Sequence, residues 1–125
     1  PTAYTLDILS GSFDFDGNGS ADALTDGLML LRYAFGLSGT AVTDGAIASD
    51  SPMSSDEVLA ALETASNSFA DIDGNGVVDA LTDGLMLLRS LFGLTGDAVI
   101  SGAVGNGATR TTADDIEAYI GSMTP

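Results

Sequence analysis

Residues 14–32 read Asp14-Phe15-Asp16-Gly17-Asn18-Gly19-Ser20-Ala21-Asp22-Ala23-Leu24-Thr25-Asp26-Gly27-Leu28-Met29-Leu30-Leu31-Arg32. Residues 71–89 repeat them as Asp71-Ile72-Asp73-Gly74-Asn75-Gly76-Val77-Val78-Asp79-Ala80-Leu81-Thr82-Asp83-Gly84-Leu85-Met86-Leu87-Leu88-Arg89. The offset is 57 residues, and only three of the 19 positions differ: Phe15/Ile72, Ser20/Val77 and Ala21/Val78. No acidic residue differs between the copies. Agreement of this kind marks a duplicated unit, so each copy is expected to fold alike.

The likeness continues more weakly downstream. Ala34-Phe35-Gly36-Leu37-Ser38-Gly39 pairs with Leu91-Phe92-Gly93-Leu94-Thr95-Gly96. Ser54-Ser55-Asp56-Glu57-Val58 pairs with Thr112-Ala113-Asp114-Asp115-Ile116 after one inserted residue. Each unit therefore reads as acidic loop, helix, connection and second helix. The expected fold is mainly α: one domain over residues 1–125, unit one at about 13–68, unit two at about 70–122, and an N-terminal segment 1–12. The two loop-helix units are expected to pack with pseudo-twofold symmetry.

The first helix of each unit is predicted over residues 23–35 and 80–92. Asp22 and Asp79 suit its N-cap, and Gly36 and Gly93 suit its C-terminal stop. Arg32 and Arg89 fall late in the helix, where a cation complements the dipole. Leu24, Leu28, Leu31 and Phe35 share one face at helical spacing, and Met29 and Leu30 widen the stripe. Gly27 and Gly84 sit inside the first turns, where glycine costs about 1 kcal/mol against alanine. Their presence in both copies predicts close backbone packing or a strained loop exit. The second helices are predicted over 55–66 and 113–120, with Ser54 and Glu57 as a capping box and Thr112 with Asp115 as a weaker one. Ala41-Val42 and Ala98-Val99-Ile100 can pack or form brief strands. Tyr4, Leu6 and Ile8 alternate with polar residues as in a short strand.

The repeated loop has the chemistry of a calcium site. Calcium takes six to eight oxygens from one tight loop; in the helix-loop-helix arrangement positions 1, 3 and 5 give side-chain oxygens, and position 6 is a turning glycine. Position 7 gives a carbonyl, and position 9 acts directly or through water. These places are filled here by Asp14, Asp16, Asn18, Gly19, Ser20 and Asp22, and by Asp71, Asp73, Asn75, Gly76, Val77 and Asp79. The usual acid at position 12 is replaced by Thr25 and Thr82, and the acid follows one residue later as Asp26 and Asp83. Residues four apart on a helix share a face, so Asp22 with Asp26 and Asp79 with Asp83 can both point back at the loop. Asp26 and Asp83 are expected to close the two sites through a slightly lengthened loop. A single Asp-x-Asp-Gly-Asn-Gly is a common Asx-rich turn. Two copies, each with four carboxylates and an Asn in 13 residues, would repel themselves without a cation. Magnesium fits less well, because it keeps its waters.

Composition narrows the function classes. Eighteen acids face three cations, Arg32, Arg89 and Arg110, for a net charge of −15. Nucleic-acid and anionic-lipid binding both need clustered cations, so neither is expected. Cysteine and histidine are absent, which removes thiolate and imidazole zinc sites and His-dependent nucleophilic catalysis. Hydrophobic residues reach 45%, enough for a packed core. No apolar run is long enough to span a membrane. The chain runs from Pro1 to Pro125 without a signal peptide, as expected of a segment of a longer protein.

At residues 14–26 and 71–83, with Leu28-Met29-Leu30-Leu31-Arg32 and Leu85-Met86-Leu87-Leu88-Arg89 behind them, the chain resembles a dockerin. Dockerins are the calcium-binding modules of bacterial polysaccharide-degrading complexes, and carry two calcium loop-helix copies related by a pseudo-twofold. The resemblance covers about 40 of the 125 residues. It also extends to tandem calcium-loop arrays of bacterial secreted and surface proteins. It implies two calcium ions, a secreted or cell-surface location and a cohesin-like domain as candidate partner. The loops here stand farther apart than in a dockerin, and the last acid is shifted by one. In dockerins loop positions 10 and 11 touch the cohesin. Here they are Ala23-Leu24 and Ala80-Leu81, which can face a partner or the core, with the core expected. The function expected is a noncatalytic, calcium-stabilised module for attachment or protein–protein interaction. A calcium-rigidified spacer without a dedicated partner is the alternative. An enzyme is disfavoured because the acids are accounted for as ligands and no tryptophan is present to stack a sugar. A sensor is disfavoured because Met29 and Met86 read as core.

Overall fold

The computed structural model describes residues 11–125. The strand expected around Tyr4, Leu6 and Ile8 lies outside the described residues. In the first unit a π-helical turn, Ala23–Gly27, runs straight into α1, Leu28–Ala34. A single-turn helix α2, Thr40–Thr43, and a longer helix α3, Ser55–Ser66, follow. The second unit repeats the order: a π turn Ala80–Gly84, α4 Leu85–Leu91, α5 Asp97–Ile100 and α6 Ala113–Gly121. The fold is mainly α, and no strand occurs among the described residues. The stretches that left brief strands open, around Val42 and Val99, are helical turns.

Local chemistry explains the helix ends. Ser54 Oγ accepts from the Glu57 amide, and Glu57 Oε1 accepts from the Ser54 amide, completing the capping box on α3. On α6 only the Thr112 half forms, with Asp115 N donating to Thr112 Oγ1 at 3.1 Å. After α1, Gly36 takes φ +95°, a region where only glycine is comfortable. Leu37 N then reaches back to Arg32 O and Gly36 N to Tyr33 O, a Schellman stop that recurs at Gly93. Arg32 does more than face its own helix dipole. Its Nη1 donates to the carbonyls of Val42 and Asp44 at 3.0 and 2.9 Å, and Arg89 does the same to Val99 and Ser101. Each arginine thus fixes the short helix that follows it.

One hydrophobic core draws on both units. Phe13, Phe15, Met29, Leu30, Val58 and Leu62 meet Ile72, Met86, Leu87, Ile116 and Ile120 in it. Met29 and Met86 are fully buried, as expected. The predicted stripe needs correction. Leu28 and Leu31 are half-buried, whereas Leu24 and Phe35 are 62% and 58% exposed. Leu24 and Leu81 therefore do not face the core as expected, although Ala23 and Ala80 beside them are buried. For Leu24 and Leu81 the reason is the π turn, while Phe35 lies at the C-cap, past the last turn of α1. One extra residue before Leu28 rotates the preceding positions by roughly 100° about the axis relative to an α-helix.

The two first helices approach closely through their glycines. A Cβ at Gly84 would lie 3.1 Å from Leu31 Cα, and one at Gly27 would lie 3.4 Å from Leu88 Cα. The predicted close packing is therefore real, and it is packing between units. Gly84→Leu should wedge α1 away and lower the unfolding free energy by about 1–3 kcal/mol. At Gly121, where a Cβ would meet nothing within 4 Å, alanine should leave stability unchanged or raise it by up to roughly 1 kcal/mol. Urea unfolding followed by far-UV circular dichroism distinguishes the two; equal effects would contradict the close approach.

Candidate metal centre

Each loop gathers three carboxylates. One oxygen from each of Asp14, Asp16 and Asp26 lies within 4.8 Å of the others, and Asp71, Asp73 and Asp83 form the same cluster. Asp16, Asp26, Asp73 and Asp83 are fully buried. Bringing three acids this close, away from water, requires strong compensation by donors or by a cation.

The backbone supplies part of it. Asp26 Oδ1 accepts from the amides of Phe15 and Asp16 at 2.7 and 3.3 Å. Asp26 Oδ2 accepts from the Asp22 amide at 2.9 Å and the Thr25 hydroxyl at 3.0 Å. Asp83 repeats this with Ile72, Asp73, Asp79 and Thr82. Asp14 accepts from the amides of Asn18 and Gly19 at 3.3 and 2.9 Å, and Asp71 from those of Asn75 and Gly76. Gly19 and Gly76 reach this position with φ +92°, which explains a glycine at the sixth place. One oxygen is left over. Asp16 Oδ1 is buried in the cluster and has no hydrogen-bond partner. A buried charged acceptor without a partner costs several kcal/mol, so a cation among these carboxylates would satisfy it.

The shifted last acid has a structural explanation. Gly27 N donates to Asp22 O and Gly84 N to Asp79 O, five residues back. The added residue is absorbed in the π turn rather than in a longer loop. Asp26 and Asp83 thereby join their clusters from the thirteenth place. Asp22 and Asp79 do not join the triads: both are exposed. They stand at the N-cap positions, but their side chains make no capping bond; their amides are instead held by Asp26 and Asp83. Asn18 Oδ1 and Asn75 Oδ1 accept from the amides of Ser20 and Val77, closing the turn.

The connections contribute groups that sequence reasoning missed. Asp16 Oδ2 accepts from the Ala48 amide at 2.8 Å, and Asp73 Oδ2 from the Gly105 amide at 2.7 Å. Both donors are small residues at the same 57-residue offset, and a side chain at Gly105 would run into Asn75. Ser51 Oγ donates to Asp16 O, and Thr109 N to Asp73 O. Paired small and hydroxyl residues in the otherwise divergent connections were the available signal. No protein-family model, no curated protein and no solved structure matches the chain.

Burial raises the Asp26 carboxyl from 3.8 to about 6; the Asp22 amide opposes the rise and the Asp16 charge adds to it. Burial also raises Asp83, against the Asp79 amide, and Asp14, against the Gly19 amide. A raised folded value means that the fold binds this proton more tightly than the unfolded chain does. That stabilisation of the metal-free fold is complete at low pH and is lost as pH rises through about 6. Cation binding has the opposite sign, since it needs the carboxylate. The melting temperature of the metal-free protein should therefore fall between about pH 4 and about pH 6, while cation affinity rises over the same window. Melting curves in chelator across that range check the first sign, and titrations check the second.

Proposed function

We propose that the chain is a noncatalytic calcium-binding module, dockerin-like in design. Two calcium loop-helix units pack about a pseudo-twofold and bind one ion each. The observation that carries this reading is Asp16 Oδ1: a buried carboxylate oxygen with no donor, inside a triad of acids. All donors to the triads are amides and hydroxyls, and every candidate ligand is a hard oxygen, which suits calcium over softer metals. Asp14, Asp16, Asn18, Asp26 and the Ser20 carbonyl form one set of ligands, with Asp22 acting through water. Asp71, Asp73, Asn75, Asp83 and the Val77 carbonyl form the other, with Asp79 in the same role. Two ions would bring the formal charge from −15 to −11.

Metal affinity is folding energy here, because the unfolded chain has no preformed cluster. Millimolar calcium outside the cell would keep even modest sites filled, which suits a module of a bacterial secreted or surface protein. The module serves attachment. Leu24, Leu81, Phe35 and Phe92 are each more than half exposed, and Phe35 and Leu81 line a shared depression with Ala34 and Ala80. Apolar side chains in such numbers on an acidic surface favour a protein partner, a cohesin-like domain among them, over a bare spacer.

Calorimetry should give two calcium ions per chain, and chelation should lower the melting temperature markedly. Asp83→Asn should weaken one of the two sites by at least tenfold. A melting curve indifferent to chelator, or an Asp83→Asn isotherm like that of the native chain, would contradict the assignment.

A further inference from the structure

The two loops are near copies, yet their surroundings carry different charge. In the second unit Arg110 Nε donates to Ile72 O at 2.6 Å and Nη2 to Asp71 O at 2.8 Å. The guanidinium also lies 3.8 Å over the ring of Tyr119, whose hydroxyl donates to Phe69 O. A cation is thus held against the start of the second loop. The other two arginines bond the connections instead. In the first unit the position aligned with Arg110 is Pro52, and the loop gains an acid: Asn18 Nδ2 donates to Asp50 Oδ1 at 3.1 Å. Counting Asp14, Asp16, Asp22, Asp26 and Asp50, loop one has five negative charges. Loop two has four, from Asp71, Asp73, Asp79 and Asp83, offset by Arg110, which leaves −3 against −5.

Most carboxylate contacts recur in both units, including Asp16 with Ala48 and Asp73 with Gly105. The open oxygen also falls in loop one. Asp16 Oδ1 lacks a donor, whereas Asp73 Oδ1 accepts from the Asn75 amide at 3.3 Å. Resting on the calcium reading of both loops, we propose that the sites are unequal: loop one binds calcium first and more tightly, and Arg110 sets loop two apart by supplying part of the positive charge there. Arg110 also orders its loop, which would favour binding. Ser51 orders loop one through Asp16 O, as Thr109 orders loop two through Asp73 O, so loop two is the more tied down and the ranking sets the charge of Arg110 above that ordering. That charge faces a dication across a loop near the surface, worth roughly tenfold in affinity.

The amides of Gly19 and Gly76, each bonded to a ligand carboxylate, report the two sites separately in a calcium titration followed by ¹H–¹⁵N correlation spectra of the chain. Gly19 should saturate at about tenfold lower calcium than Gly76. Arg110→Gln should bring the Gly76 midpoint at least threefold closer to that of Gly19, whereas Arg110→Lys, which keeps the charge, should preserve most of the gap. Asp50→Asn, on an exposed side chain, should raise the Gly19 midpoint about two- to threefold and decides the matter if the Arg110 variants fail to fold. Coincident midpoints in the native chain, a reversed order, or a gap unmoved by Asp50→Asn would overturn the ranking. No response of either glycine to calcium would instead overturn the calcium reading itself.

Discussion

Three carboxylates held within 4.8 Å of one another, two of them fully buried, form the constraint on which each unit depends. Such a group cannot exist beside apolar side chains unless donors or a cation surround it. The chain meets part of the demand with its own backbone. Asp26 accepts four hydrogen bonds, joining the first turn of the loop to the residue that opens the helix. Asp16 fastens the loop to the distant connection through Ala48. The acids are therefore organisers of the loop as well as candidate ligands.

This local constraint reaches the core of the whole molecule. Asp26 and Asp83 each stand one residue before a glycine that ends a π turn, and that glycine packs closely against the other unit's helix. The spacing between helices and the position of the last carboxylate are set in the same turn. Each cluster therefore stands beside a contact between the two units. Four of the six α-helices have seven residues or fewer, under two turns, so their stability comes from packing of this kind rather than from length.

The duplication made much of this legible. Two identical sets of acids at fixed spacing identified the clusters, and the apolar helices behind them identified Met29, Leu30 and their copies as core. The paired glycines pointed to a close approach or a strained loop exit, and the structure shows the first, between units. What stayed hidden was carried by bonds with no residue-type signature. The Ala48 and Gly105 amides are donors by virtue of their backbone, and any residue small enough could stand there. Arg110 bonds carbonyls, so neither its partners nor its reach is written in a motif. The exposure of Leu24 was misread because periodicity assumes a uniform helix, and five residues of π geometry precede α1.

That same insertion links features that looked separate. With a regular α-turn, an acid in the twelfth place would face the cluster, and Leu24 would continue the apolar row of Leu28 and Leu31. The extra residue moves the acid to the thirteenth place and turns Leu24 outward. The Asp22 amide, held by Asp26, fixes the turn at its start. The orientation of the exposed leucine is therefore tied to the carboxylate that closes the cluster. π turns are rare, and here each is spanned by a hydrogen bond from the amide before it to the carboxylate within it. The gathering of three acids in each loop and the exposure of Leu24 and Leu81 beside it are two consequences of one turn.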